Sequence, residues 1–284
     1  MTINEKALWL HGEGFDMLGI VSLPPASTPA QRTGVVIVVG GAQYRAGSHR
    51  QFTQLARFLA EGGFPVLRFD LPGMGDSPGE LPSFEDTAPH IAAAIDGFQR
   101  QHPGLERVVL WGLCDGASAS LLYVDATHDP RIAGLALLNP WVRSEVSLAR
   151  ARVKHYYRRR LLEGDFWRKL LTGKLGLVAL MDLQGALKRM ASTRPAVPSF
   201  QTRMAAGWNG FQGPILLALS ELDLTANEFN EAVKNAPFRK KPPVNDGIQT
   251  VQLRLADHTI SNNQTRIELE RITLEWLAEK MESR

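Results

Sequence analysis

The chain's one cysteine, Cys114, stands in the stretch WGLCDGAS, Trp111 to Ser118. The chemistry this spacing offers is nucleophilic. Gly112-Leu113-Cys114-Asp115-Gly116 is G-x-C-x-G, the cysteine form of the nucleophile elbow, in which a sharp strand-to-helix turn exposes the nucleophile above a sheet. Side chains at the two glycines would collide with neighbouring backbone, and the helix that follows favours thiolate over thiol through its positive N-terminal end. A thiol also needs a base and a group to orient that base. Downstream, LALSELD ends on Asp223 and LRLADH ends on His258, which is the elbow order of nucleophile, acid, base. Glu221 and Asp257 stand close by as alternative acids. An imidazole at His258 takes the thiol proton, and Asp223 fixes its tautomer. An oxyanion would be held by the backbone N–H of Asp115 and by that of Ala42 or Gln43 in the turn after GVVIVVGG. Arg45, His49 and Trp141 are candidates to line the substrate pocket. Asp115 itself is a puzzle: its charge suits a helix N-terminus but disfavours a neighbouring thiolate, so it either caps the helix or contacts substrate. Each residue also has a plainer reading: a small buried hydrophobe for Cys114, a satisfied structural histidine for His258, surface loop residues for Arg45 and His49.

The elements that must position these groups follow from periodicity. GVVIVVGG is a β-branched run without polar alternation, the signature of a strand buried on both faces; RVVLWGLC reads as another buried strand, and RIAGLALLNP and GPILLALSELD as further strands. FPVLRFDLPG and TVQLRLADH add two more, and ALWLHGEGFDMLGIVSLPP reads as two short strands joined by a glycine turn and closed by Pro24-Pro25. Between them lie helices: SHRQFTQLARFLAEGG with Ser48 as N-cap, FEDTAPHIAAAIDGFQRQ beginning near Phe84, a helix from Asp115, ANEFNEAVKN, and NNQTRIELERITLEWLAEKM. Strands alternating with helices imply an α/β chain with a mostly parallel sheet covered on both faces. Arg239 to Gly247, RKKPPVNDG, reads as a surface loop.

One segment breaks the rhythm. From Val142 to Met204, 14 Lys/Arg stand against 4 Asp/Glu, while the rest of the chain carries 18 basic and 25 acidic residues. ARARVKHYYRRRLL and GDFWRKLLTGKLGLVALMDLQGALKRM look helical and amphipathic with no strand between them. The expected organisation is a core over 1–141, a basic helical cap over 142–205, and a core resuming over 206–284. The cap has three readings: a solvated face, a funnel for an anionic acyl substrate, or peripheral contact with anionic lipid. Tyr156, Tyr157, Phe166 and Trp167 fit either a membrane interface or packing onto the sheet.

Taken together, these features resemble the α/β-hydrolase superfamily over nearly the whole chain, and LRFDLPGMGDSPG, Leu67 to Gly79, resembles its D-x-x-G-x-G-x-S stretch. More narrowly, GGAQYRAGSHRQF, LRFDLPGMGDSPG, VVLWGLCDGASA, LLNPWVRSE and LARARVKHYYRRRLL resemble the exosortase A system-associated hydrolase 1 family, found in bacteria that make exopolysaccharide. Dienelactone hydrolase is similar in using Cys, Asp and His on this fold. The resemblance implies acyl chemistry on an ester or thioester, by hydrolysis or by transfer to a saccharide. A non-catalytic scaffold on the same fold is the rival of another class. The departure is Cys where the wider superfamily has Ser.

Composition excludes other classes. At 284 residues the chain can bury a sizeable core, and with one Cys it holds no internal disulfide and no multi-cysteine metal site. No histidine pair shows metal-ligand spacing, and GMGDSPG lacks G-x-G-x-x-G, so neither metal nor nucleotide cofactor is expected. No nucleic-acid module is present. MTINEKALWLHGEG has no apolar signal core, and no apolar run approaches the ~20 residues of a membrane span. The cytoplasm is the expected location; the oligomeric state stays open.

Overall fold

The computed structural model describes residues 4–41, 43–143, 198–238 and 247–281. Residues 1–142 and 200–284 form one compact unit. The basic segment expected as a cap lies almost wholly outside the described residues, as do Ala42 and most of the 239–247 loop.

The unit is built on an eight-stranded sheet: β1 (Asn4–Gly12), β2 (Phe15–Leu23), β3 (Thr33–Val38), β4 (Val66–Phe69), β5 (Arg107–Leu113), β6 (Ile132–Leu138), β7 (Ile215–Ser220) and β8 (Ile248–Leu253). Its spatial order is β1-β2-β4-β3-β5-β6-β7-β8. β2 runs antiparallel to both its neighbours, and every pairing from β4 to β8 is parallel. Every residue of β3, β4 and β7 is buried; the one charged residue among them, Arg68 in β4, donates to Thr53 Oγ1 and to the Glu5 carboxylate. The helices are α1 (Gln51–Glu61), α2 (Ala88–Gln101), α3 (Asp115–Thr127), α4 (Phe200–Gly210), α5 (Leu224–Val233) and α6 (Asn263–Met281). α1 packs with α6, and α3 packs with α2 and α4. α4 runs unbroken through the 205/206 position, where sequence alone put the end of the cap. This is the α/β-hydrolase fold. The chain leaves β3 toward β4 on one side and places β5 on the other, and the crevice at the carboxyl ends of such diverging strands is where open α/β sheets bind ligands.

Two local expectations are corrected. Ser48 does not cap α1. It begins a short 3-10 turn, Ser48–Arg50, in which His49 and Arg50 take left-handed φ values of 52° and 60°, and α1 starts after it without a side-chain cap. The Ser48 hydroxyl instead accepts from Gln43 Nε2 at 3.2 Å. The helix expected near Phe84 is divided. A 3-10 turn, Phe84–Asp86, is capped by the Ser83 side chain, and α2 begins at Ala88 with Pro89 in its first turn, where a missing N–H costs nothing.

Candidate active site

Cys114 joins β5 to α3 with φ 58° and ψ −124°, a strained conformation for any residue with a Cβ. The surroundings enforce it. Cys114 N–H donates to Leu138 O at 2.9 Å, while Cys114 O accepts from the N–H groups of Ala117, Ser118 and Trp141 at 3.1–3.2 Å. Ser118 Oγ donates to Trp141 O at 2.6 Å, tying the Trp141 loop to the elbow. A Cβ on Gly112 would stand 2.6 Å from Ala117 N, and one on Gly116 would stand 2.3 Å from Val38 O. The glycines therefore mark close backbone approach between β3, β5 and α3.

Asp223 follows β7 and caps α5. It is 6% exposed, its carboxylate accepts from Thr225 and Ala226 N–H at 3.0 and 3.3 Å, and Oδ2 lies 2.8 Å from His258 Nδ1. The other two acids are committed elsewhere: Glu221 Oε2 accepts Leu255 N–H at 2.9 Å, and Asp257 accepts the N–H groups of Thr259 and Ser261. Loop-to-loop bonds from Glu221 N–H to Leu253 O and from Leu222 N–H to Ala256 O hold the acid and histidine loops together. Beneath them Asn139, fully buried at the end of β6, donates to Ser220 Oγ and accepts Ser220 N–H. Hydrogen bonding to Asp223 and to the Cys114 sulfur pushes His258 up to about 10 against its desolvation. Burial alone would raise Asp223, but the bond and charge of His258 with the two helix N–H groups outweigh it and hold the carboxyl below its ordinary value.

Cys114 and His258 open into one cleft of about 480 Å³, lined also by Gly40, Gly41, Gln43, Ser48, Leu113, Asp115 and Trp141. Trp141, proposed as a pocket residue, and Gln43, proposed for its backbone N–H, both line this cleft, as do Ser48 and Leu113. The Gln43 N–H, however, donates to Gly40 O at 3.3 Å, so it is already engaged; Ala42 lies outside the described residues. Arg45 does not line the cleft. Its guanidinium pairs with Asp70 and Asp76, and its N–H donates to Asp70 Oδ1 at 2.6 Å. Asp70 is wholly buried, so Arg45 neutralises the D-x-x-G-x-G-x-S corner rather than a substrate. His49 also lies off the cleft. A larger cleft, about 610 Å³, sits at the β1–β2 turn between Gly12, Phe15, Pro72, Glu80 and His90, with no nucleophile among those residues. Among the described residues no group of three His, Cys, Asp or Glu could hold a metal, and no helix is long and apolar enough to cross a membrane.

Comparison with known proteins agrees with this architecture. Human protein ABHD12B is 38% identical over 86 residues, 29% of this chain and only 23% of that protein. The Pyrococcus furiosus esterase Pf2001 superposes with a TM-score of 0.63 at 17% identity, covering 98% of this chain and 94% of the esterase. XC6422 from Xanthomonas campestris, described as an α/β serine hydrolase without a lid, superposes at 0.59 and 16% identity, over 97% of this chain and 94% of its own. A family model matches residues 35–260, a span that holds the elbow, Asp223 and His258, and the chain belongs to the alpha/beta hydrolase family.

Proposed function

We propose that this chain is a cysteine-nucleophile hydrolase that cleaves an ester or thioester through an acyl-enzyme. One observation carries the reading: the only cysteine sits on a strained elbow in a cleft shared with a histidine that is bonded on its far side to a buried carboxylate. His258 takes the thiol proton, and the Cys114 thiolate attacks the carbonyl carbon. The carbonyl electron pair moves onto oxygen, where the Asp115 N–H and the Ala42 N–H from the turn after β3 receive it. Collapse re-forms the carbonyl and breaks the bond to the leaving group, which takes the proton from His258. Water then repeats the sequence in reverse roles, giving the acid and free Cys114. Asp223 holds the imidazole tautomer throughout.

Cysteine in place of serine suits activated acyl groups, because thiolate is the better nucleophile and a thioester intermediate is hydrolysed readily. The basic segment between residues 142 and 200 is read as a cap that gathers anionic acyl carriers, and the chain's resemblance to the exosortase-associated family supports a setting in exopolysaccharide assembly in the cytoplasm. The test is acyl-enzyme trapping. Acyl-CoA and aryl-ester panels are mixed with wild type and Cys114→Ala and quenched within seconds. Peptide mass mapping should find the acyl group on Cys114 in wild type, with turnover lost in the variant. Turnover that survives Cys114→Ala overturns the reading.

A further inference from the structure

Asp115 is the residue of the cleft that this mechanism leaves unexplained. Its backbone N–H has a role, but its side chain also lines the cleft beside Cys114 and His258. The carboxyl lies over a glycine of the turn after β3, the turn assigned to the oxyanion: a Cβ on Gly40 would stand 2.0 Å from Asp115 Oδ1, so Gly40 leaves room for this group. Oδ1 is buried and has no hydrogen-bond partner among the described residues. A charged carboxylate lining the same cleft would repel both a thiolate and an oxyanion, and that repulsion favours the protonated acid.

We infer that Asp115 is a further catalytic residue: its carboxyl, holding a proton, donates an O–H hydrogen bond to the oxyanion formed at Cys114. This rests on the nucleophilic reading of Cys114. The group's surroundings agree. Burial raises the Asp115 carboxyl above its ordinary range, against the N–H groups of Gly41, Asp115 and Gly116 and the charge of His258. His258 and Cys114 are the ionisable groups that share the cleft with it; Gly40, Gly41, Gln43, Ser48, Leu113 and Trp141 carry none. Protonation does two things at once. It puts a donor beside the oxyanion, and it makes the carboxyl a weaker acceptor, which leaves the nearby N–H groups to the substrate. The added donor also stands in for the Gln43 N–H, which Gly40 O occupies. No proton is transferred, and the acid emerges unchanged. A neutral buried carboxylic acid used as a hydrogen-bond donor is an established device of enzyme sites.

The experiment follows acetylation of Cys114 by p-nitrophenyl acetate in stopped flow from pH 5 to 9.5, with the acetyl group located by peptide mapping. Wild type, Asp115→Asn and Asp115→Ala are compared, with melting temperatures recorded to verify folding. Loss of one oxyanion donor costs on the order of 100-fold. Asp115→Ala should therefore acetylate at least tenfold more slowly than wild type, and Asp115→Asn, whose amide still donates, should recover most of that loss. The wild-type rate should fall as pH rises through the Asp115 titration, and Asp115→Asn should lack that fall. Wild-type rates in Asp115→Ala, equal slowness of both variants, or an unchanged pH profile in Asp115→Asn overturn this inference and leave Cys114 as nucleophile. Wild type without acetyl on Cys114 overturns the nucleophile itself, and this inference with it.

Discussion

Replacing Asp223 by Asn removes the charge that His258 leans on while keeping an oxygen to cap α5. The 2.8 Å bond to Asp223 is the first cause of a His258 pKa near 10, against an ordinary 6.5. In Asp223→Asn the imidazole pKa should fall by more than one unit yet stay above 6.5, because the Cys114 sulfur remains beside it. The sign for stability follows from the raised folded pKa. The contribution is complete below pH 6.5 and is lost as pH climbs toward 10. A shift of that size is on the order of 5 kcal/mol in full. The His258 side chain is 35% exposed, and solvent screening brings the expected loss to about 1–2 kcal/mol. Imidazole NMR titration, with the His258 signals assigned from a His258→Gln sample, reads the pKa. Urea midpoints from pH 6 to 10 read the stability, whose decline should be shallower in the variant. Catalysis should drop by about 10²–10⁴, because an amide at this position favours the wrong tautomer. A His258 pKa still near 10 in Asp223→Asn, with an unchanged stability slope, would refute the reasoning.

Two further substitutions separate scaffold from chemistry. Gly116→Ala sets a Cβ 2.3 Å from Val38 O, a rigid backbone atom, so it should cost about 2–3 kcal/mol in urea denaturation and slow Cys114 alkylation as the elbow shifts. Arg45→Ala leaves the buried Asp70 carboxylate with backbone N–H partners but no countercharge; it should destabilise by about 2–4 kcal/mol without a selective rise in KM, measured by urea melts and by ester kinetics on the folded fraction.

The strands and the elbow were legible because their signals are local. A strand buried on both faces is apolar through its middle, as β3, β5 and β7 are between their end residues, and a strained turn between closely approaching backbones must carry glycines, as at Gly112 and Gly116. The pairing of Asp223 with His258 was legible only as chain order. What separates Asp223 from Glu221 and Asp257 is where each carboxylate's own backbone bonds point, and that depends on the loops after β7 and β8 meeting in space. Arg45 was misjudged for the same reason: nothing near it in sequence announces Asp70, twenty-five positions away. Ser48 carried a good capping side chain, but the left-handed turn at His49 and Arg50 moved the helix start beyond its reach. The Asn139–Ser220 clasp leaves no sequence signal, since a lone Asn before Pro reads as an ordinary strand end. Asp115 could be flagged from sequence because a charge beside a nucleophile is conspicuous, but its orphaned oxygen over Gly40 is a property of packing.

The central claim is that Cys114 and His258 work as a pair. The most direct measurement is the rate of iodoacetamide alkylation against pH, read by intact mass, for wild type and His258→Ala. With one cysteine in the chain the mass shift reports a single site. The account predicts that wild type alkylates well below the free-thiol pKa of ~8.5 and that His258→Ala loses this reactivity. Two coincident profiles, both those of a free thiol, would contradict it.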